Sequence, residues 1–494
     1  MAGAEKAPVM LQPLRDLVLG GAVPPATFSD GGTAAALATW FGAMAPVLRN
    51  GPEALREVLD RDIAALDVMI HRQLEAVLQH PDMSRIEGSW RGLHGLVARL
   101  PGSSQVRLRM LSVSWAELCR DFERATGFDR SDLFQLVYEQ EFGHAGGEPF
   151  GLLCADFDLV ALPARGRRTD DVAALVHLAG IAAAAFAPTV LAAHPAMLGL
   201  DGFKELGAAL DLAETLRSPA HRRWQRLQEQ EDSRFLAVLL PRALARAPWA
   251  DDGNRADRFR PGGRLGPRLW TSPVYAFAAT TVRAFQRHGW PADIRGALLA
   301  EEPSGGVVDG LPVEHFAGDP AGPPPRPPVE VALTDLQERQ IAEAGLLPFL
   351  ALEGLPEGSF AATPSLHRAP RMTTEAANAN QRLSAQFNAV LCVSRFAHCI
   401  KIMGREMVGA SRTATEIQLH LQRWLASFVN ESGGGSGPLA ARFPLRNARV
   451  EVRALPGKPG SFGCVIHLQP HYQLDEVGAA FRLVTDLSTQ RRAA

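Results

Sequence analysis

Few residues in this chain have the type and spacing that chemistry needs. A phosphate-cradling loop requires glycines, a Lys and a following hydroxyl, because backbone N–H groups and the ammonium hold phosphates while the hydroxyl binds magnesium. Gly457-Lys458 is followed by Pro459, so that loop is absent. No His precedes a Glu and no Gly-x-Ser-x-Gly occurs, which removes the zinc-binding helix and the nucleophile elbow. His467 and His471 have a helical ligand spacing, but Pro470 and a strand-like pattern surround them. Cys392, His398 and Cys399 share one predicted helix and read as an apolar core group. The glycines of Gly146-Gly147-Glu148-Pro149-Phe150-Gly151 precede a strand, whereas phosphate-binding glycines sit between a strand and its following helix. Glu229, Glu231, Asp232 and Arg234, with Arg222, Arg223 and Arg226, could be hydrolase carboxylates, but a mixed-charge helix end explains them through ion pairs alone. No catalytic residue, cofactor or metal site is expected, and the chain reads as a non-enzyme.

The elements that would position such groups are better defined. With 494 residues, 46% hydrophobic and 21% charged, the chain has material for a large core. Its 51 basic and 53 acidic residues leave a net charge of −2, which argues against a nucleic-acid partner. Five scattered cysteines without a C-x-x-C pair fit the reducing cytoplasm. No signal peptide is recognisable. Val172 to Leu200 carries no Asp, Glu, Lys or Arg, yet its many alanines and Pro188 predict a buried helix that breaks near that proline, with no membrane insertion.

Residues 1–52 read as an arm in which Met10, Leu11, Leu14, Leu17 and Val18 form a short amphipathic helix before a Gly/Pro-punctuated tether. Leu55, Leu59, Ile63, Leu66, Ile70, Leu74 and Val77 then place an apolar stripe along a long helix that packs by one side. Val106 to Met110 alternates as a strand, and Ser114-Trp115-Ala116-Glu117 is a capping box. Phe150 to Val160 and Phe235 to Leu240 read as strands buried on both faces, which with the intervening helices predicts an α/β core. Residues 53–370 are taken as one large domain, with a Pro-rich connection at 319–328, and 371–494 as a C-terminal domain. In the latter, a helix from about Thr373 to Met407, a Gly/Ser loop at 432–437 and a hairpin of Arg449 to Ala454 with Phe462 to Leu468 are predicted.

Several strings then align in order with one family. Ile86-Glu87-Gly88-Ser89-Trp90-Arg91-Gly92-Leu93-His94 resembles the W-R-G-L-H signature of the large sheath subunit of type VI secretion systems, the TssC/VipB family. The Y-E-Q-E-F-G string from Tyr138, the G-G-E-P-F-G string carrying Glu148, and the block of Ser218-Pro219, Trp224 and Glu231-Asp232-Ser233-Arg234 continue the match. So do Asn380 to Gln386, Ser394-Arg395-Phe396-Ala397-His398, Pro444 to Val450 and Pro470 to Leu474. The resemblance implies an α/β, contractile tail-sheath-like fold with an N-terminal helical arm and a C-terminal β-hairpin. It implies a subunit that pairs with a small sheath subunit (TssB/VipA), polymerises helically from a baseplate around an Hcp tube, and is dismantled by the ATPase ClpV. A sheath of another contractile injection system, such as a phage tail, is the alternative.

In those terms, the arm residues Met10, Leu11, Leu14, Leu17 and Val18 are candidates for ATPase recognition. Asp475 and Glu476, on a segment to Leu487 compatible with a helix, are candidates for facing the tube. Trp90, Arg91, Glu148, Asp232, Arg234 and Arg395 are signature residues with structural roles, Trp90 buried and Arg91 held by a carboxylate. The hairpin, with free edges, is expected to pair with strands of neighbouring subunits.

Overall fold

The computed structural model describes residues 51–487 except 101–104, 145, 163–167, 208–211, 249–267, 299–302, 315–323, 371, 375–376, 379–380, 382–383, 410–412, 431–440, 456–461 and 471–480, together with Arg15, Val18 and 32–41. Contacts divide it into two compact units, Met1–Ser84 with Pro248–Pro267, and Arg85–Ala247 with Arg268–Ala494.

In the first unit a helix at Gly32–Phe41 precedes helix α1, Pro52–Leu78, which starts behind Gly51 with proline in its first turn, where no N–H is needed. Asp62 on α1 is almost fully buried and receives both Arg15 Nε and Nη2, at 2.7 and 2.9 Å, and Trp40 Nε1 at 3.0 Å. The apolar stripe of α1 is not covered along its length: Ile63, Ile70, Leu74 and Val77 are 40–55% exposed.

The second unit is built on a parallel sheet. Helix α2 spans Pro81–Val97, with its residues from Arg85 onward in this unit, and α3, Trp115–Arg124, opens with the expected capping box at Ser114 and Glu117. The sheet strands are β1 (Leu153–Leu159), β2 (Thr189–Ala193) and β3 (Leu236–Leu240), and between β1 and β2 runs α4 (Asp171–Ala185). After α5 (Arg222–Glu229) and β3, the pair β4 (Ala243–Arg246) and β5 (Leu269–Thr271) is antiparallel. Helix α6, Pro273–His288, and the two-residue strand β6, Leu347–Pro348, complete the core in the order β1-β2-β3-β6.

Every residue of β2 and β3 is buried, as a strand covered on both faces requires. Leu191, Leu236, Val238 and Leu240 share a cluster with Leu175, Leu178 and Ile181 of α4. Val190, Ala237 and Leu239 join Val274 and Phe277 of α6. Two helices thus sandwich the sheet. The Ala-rich stretch breaks as expected, with Phe186 left-handed (φ 49°) after α4, but its second half forms β2 and a short 3-10 turn. β1 sits at the sheet's edge and is only half-buried, unlike the expectation of burial on both faces, because it pairs on one side only.

Helix α2 approaches this core through two glycines. A Cβ on Gly88 would collide with the Trp270 carbonyl, and one on Gly92 with Thr271 and the Tyr275 ring. The spacing of four puts both on one face with the buried Leu96.

The C-terminal part packs α7 (Phe387–Gly409) and α8 (Ala414–Ala426) on an antiparallel sheet of β7 (Leu445–Ala454), β8 (Phe462–Pro470) and β9 (Phe481–Leu487). Val450, Val452, Cys464, Ile466 and Leu468 meet Phe396, Ile400, Ile417, Leu421 and Leu425 in its core. Trp290 stacks on Phe396 at 4.2 Å.

Three predicted elements differ. Val106 to Met110 is extended but belongs to no strand among the described residues, and its arginines pair through their side chains with Glu148 and Glu141. The helix predicted from Thr373 is interrupted at Ala385-Gln386, where Gln386 bridges to Pro364, and runs continuously only from Phe387. Phe481–Leu487 is the strand β9, not a helix, and pairs with β8, so that edge of the hairpin is already occupied by the same chain.

His398 joins these layers: its Nε2 lies 2.9 Å from the Ala185 carbonyl at the end of α4, and burial drives its pKa down to about 4, with Arg395 and Lys401 acting in the same direction. The unfolded chain therefore binds an extra proton between its ordinary 6.5 and about 4. The contribution to stability is complete above pH 6.5 and is lost as the pH falls toward 4, at about 1.4 kcal/mol per pH unit at most. Chemical denaturation across that window should show this slope, and His398→Phe should flatten it. Gly88→Ala should cost about 1–3 kcal/mol in the same assay, because a backbone carbonyl has to move.

Candidate functional site

The groups that could do chemistry are held in structural roles. Burial pushes the Cys392 thiol up to about 12 and raises Cys399 as well, while His398 is held neutral. Among the described residues no three His, Cys, Asp or Glu side chains come together to hold a metal ion. His467 lies on β8, and His471 falls outside the described residues. Glu229 ends α5, and Glu231 and Asp232 open the 3-10 turn after it, all three exposed; desolvation raises the Asp232 carboxyl and Arg234 opposes that shift.

The signature residues form ion pairs that fix loops. Glu87 accepts from Arg91 Nε at 2.7 Å and from Arg246 Nε at 2.9 Å. Burial opposes its charge, yet the hydrogen bonds from Arg246 and then Arg91 keep its pKa below the usual carboxylate range. Arg91 is thus held by a carboxylate, as expected. Both Glu148 carboxylate oxygens accept from Arg107 Nη1, at 2.6 and 2.7 Å, and the Glu148 N–H donates to Glu141 Oε2 at 2.7 Å. Arg109 pairs with Glu141 and lies 5.4 Å from the Phe150 ring centroid. Together they pin the Gly146-Gly147 turn to the extended segment before α3. Arg234 donates to the Glu231 carbonyl at 3.0 Å, and Arg395 lies over Phe285 at 5.9 Å.

Within the E-D-S-R string the residue that matters most to packing is Ser233, which sequence reasoning passed over. It is fully buried, donates to the Gln230 carbonyl at 2.5 Å and lies 3.4 Å from His367 Nδ1. A Ser between charged residues before a strand was the available signal. Lys401 was also missed: its Nζ sits 4.6–5.3 Å from the rings of Tyr138, Phe142 and Phe186, and desolvation lowers it to about 8.

What remains on the surface is suited to association. Trp90 is 59% exposed, contrary to the expected burial. Gly88 and Gly92 face the core, and Trp90, about 200° around the helix from Gly88, must point away. Ile86 and Val97 are exposed near it. The exposed stripe of α1 is a second such surface. Of the arm candidates, Val18 is helical and half-buried, while Met10, Leu11, Leu14 and Leu17 lie outside the described residues. Arg15 beside them is clamped to Asp62, whose carboxyl it holds below the usual range. Asp475 and Glu476 also lie outside the described residues.

Comparison with known proteins points to tail-sheath proteins. Residues 60–367 match the VipB model, "EvpB/VC_A0108, tail sheath N-terminal domain", and residues 376–487 match its companion, the tail sheath gpW/gp25-like domain. The type VI secretion system sheath protein TssC1 of Pseudomonas aeruginosa is 32% identical over 439 residues, covering 87% of this chain and 86% of that protein. Two solved structures are also similar. The sheath tail protein of Desulfitobacterium hafniense has 9% identity and a TM-score of 0.31, over 67% of this chain and 57% of that one. A chain of the anti-feeding prophage baseplate has 10% identity and a TM-score of 0.32, over 71% of this chain and 74% of that one.

The geometry separates two neighbouring signature positions. Trp90→Ala should change stability by no more than about 0.5 kcal/mol, as expected of a surface position. Glu87→Ala, which strips a carboxylate from two arginines, should cost about 1–3 kcal/mol by denaturant titration. Equal losses would mean that Trp90 is packed after all.

Proposed function

The chain belongs to the type VI secretion sheath large-subunit family (TssC/VipB), and on that footing we propose that it pairs with the small sheath subunit and polymerises helically around an Hcp tube. Contraction of that polymer, started from a baseplate in the cytoplasm, would drive the tube, with free energy stored in subunit arrangement and no bond broken by the subunit. The observation that carries this reading is the α1 stripe. Four large aliphatic side chains at helical spacing stay in water on a 27-residue helix, which is the profile of a surface meant for another chain. The absence of a membrane-crossing helix among the described residues is compatible with a cytoplasmic site.

Strand addition has one natural place. Among the described residues β9 is the outer strand beside β8, so its other side is the edge at which a neighbour's strand would extend the C-terminal sheet. Asp475 and Glu476 remain proposed tube contacts. The arm helix remains a proposed ClpV element; with Arg15 clamped on Asp62, its exposure would require that bidentate pair to open.

The test is co-expression with a small sheath subunit. The wild-type chain should co-purify with it, and Ile70→Asp with Leu74→Asp should reduce recovery at least tenfold while leaving the melting temperature unchanged. Self-assembly into a sheath without a small subunit would favour the phage-tail alternative.

A further inference from the structure

An edge strand ordinarily leaves alternate N–H and C=O groups open to any extended chain. β7 is an edge of its sheet, yet its outer side is occupied. At its start, Leu445 donates to the Phe428 carbonyl at 3.2 Å and accepts from the Asn430 N–H at 2.9 Å. Farther along, the Gln422 side-chain amide donates to the Ala448 carbonyl and accepts from the Val450 N–H, both at 2.9 Å. Gln418 Oε1 accepts from the Val452 N–H at 3.0 Å.

Gln422 thus makes the two bonds by which a residue of a parallel strand grips the residue opposite, here Arg449. The spacing is a physical match. Four residues of helix advance about 6 Å and two residues of strand about 6.6 Å, so glutamines on successive turns of α8 meet alternate N–H groups of β7. Nothing in this arrangement is needed to fill the core, which Ile417, Leu421 and Leu425 of the same helix supply.

We propose that Gln418 and Gln422 are an edge guard that closes β7 against pairing with a second copy of this chain. The strand is self-complementary about Val450. An antiparallel copy centred there would set Arg449 opposite Glu451 twice and Ala448 opposite Val452, a closed isologous contact. Within the chain Glu451 pairs with both Arg449 and Arg453, each at 3.3 Å and with both arginines largely exposed, so these groups can exchange partners with a second copy. With the guard in place the free subunit is kept from edge-to-edge dimerisation, and strand addition is confined to the β9 side. The inference concerns the free chain and does not depend on the sheath reading.

The experiment compares the full-length chain with Gln418→Met plus Gln422→Met, which keep side-chain length but remove the acceptors. Light scattering should show a dimer absent from wild type, and at concentrations too low for that dimer, where the strand edge is bare, amide hydrogen exchange at Val450 and Val452 should speed at least tenfold. Glu451→Arg added to that pair should abolish the dimer by opposing Arg449, and Arg449→Glu with Glu451→Arg should restore it. Gln418→Glu, whose carboxylate still accepts the Val452 N–H, should behave as wild type. Gln418→Met alone, at an exposed position that cannot unfold the chain, should speed exchange at Val452 only. Unchanged exchange, exchange without dimer, or a dimer indifferent to Glu451→Arg would each overturn the proposal. Loss of small-subunit binding by wild type would instead overturn the sheath reading and leave the guard standing.

Discussion

One buried carboxylate organises the larger part of this molecule. Asp171 stands in the first turn of α4, where a negative charge meets the unpaired N–H groups of the helix end. It accepts from Trp115 Nε1 at 2.8 Å, from the Val160 N–H at 2.8 Å and from Thr169 Oγ1 at 2.9 Å. α3, the exit of β1 and the entry of α4 are therefore joined at one point, and the direction of α4 across the sheet follows from it. The face of α4 that meets β2 and β3 is rich in alanine, which allows close approach, and its far end presents the Ala185 carbonyl to His398. The C-terminal helices are located from there.

The same logic explains why the family signature contains residues of opposite character. Gly88 and Gly92 are selected by the steric demand of β5 and α6, and Glu87 by the need to neutralise Arg246 and Arg91. These three set the rotation of α2. Once that rotation is set, Trp90 has no route to the core. A large aromatic residue left in water on a rigid helix costs solubility without adding to the fold, so its place in the signature is better accounted for by contact with another chain.

Local rules were readable in the sequence where local physics decides. The capping box at Ser114, the buried strand β3 and the β7–β8 hairpin are each dictated by neighbours within a few residues. The failures share a cause. Val106 to Met110 has strand alternation, but pairing depends on a distant partner, and its arginines bind Glu141 and Glu148 instead. Residues 481–487 hold the strand-favouring Phe481, Val484 and Thr485, and their pairing with β8 decides their state. Hydrophobicity alone points Trp90 inward, whereas the close approach at Gly88 and Gly92 turns it outward. Of the candidate site, the Arg91 pairing was legible from charge spacing; the exposed stripe of α1 was legible as a stripe, but whether water or protein covers it is a property of the whole assembly.

The glutamines of α8 were invisible for a further reason. A Gln on an exposed helix face carries no periodicity signal, and its function appears only when a strand from elsewhere in the chain lies beside it. Their presence makes the C-terminal sheet asymmetric: one edge is closed by the chain's own side chains and backbone, and the other ends in β9. A sheet with two open edges can grow in either direction and can pair with itself. A sheet with one open edge adds strands from one side only, and a polymer built through such additions acquires a direction from the subunit alone. On the proposed reading, polarity of this kind is what a sheath needs, because contraction has to propagate from one end.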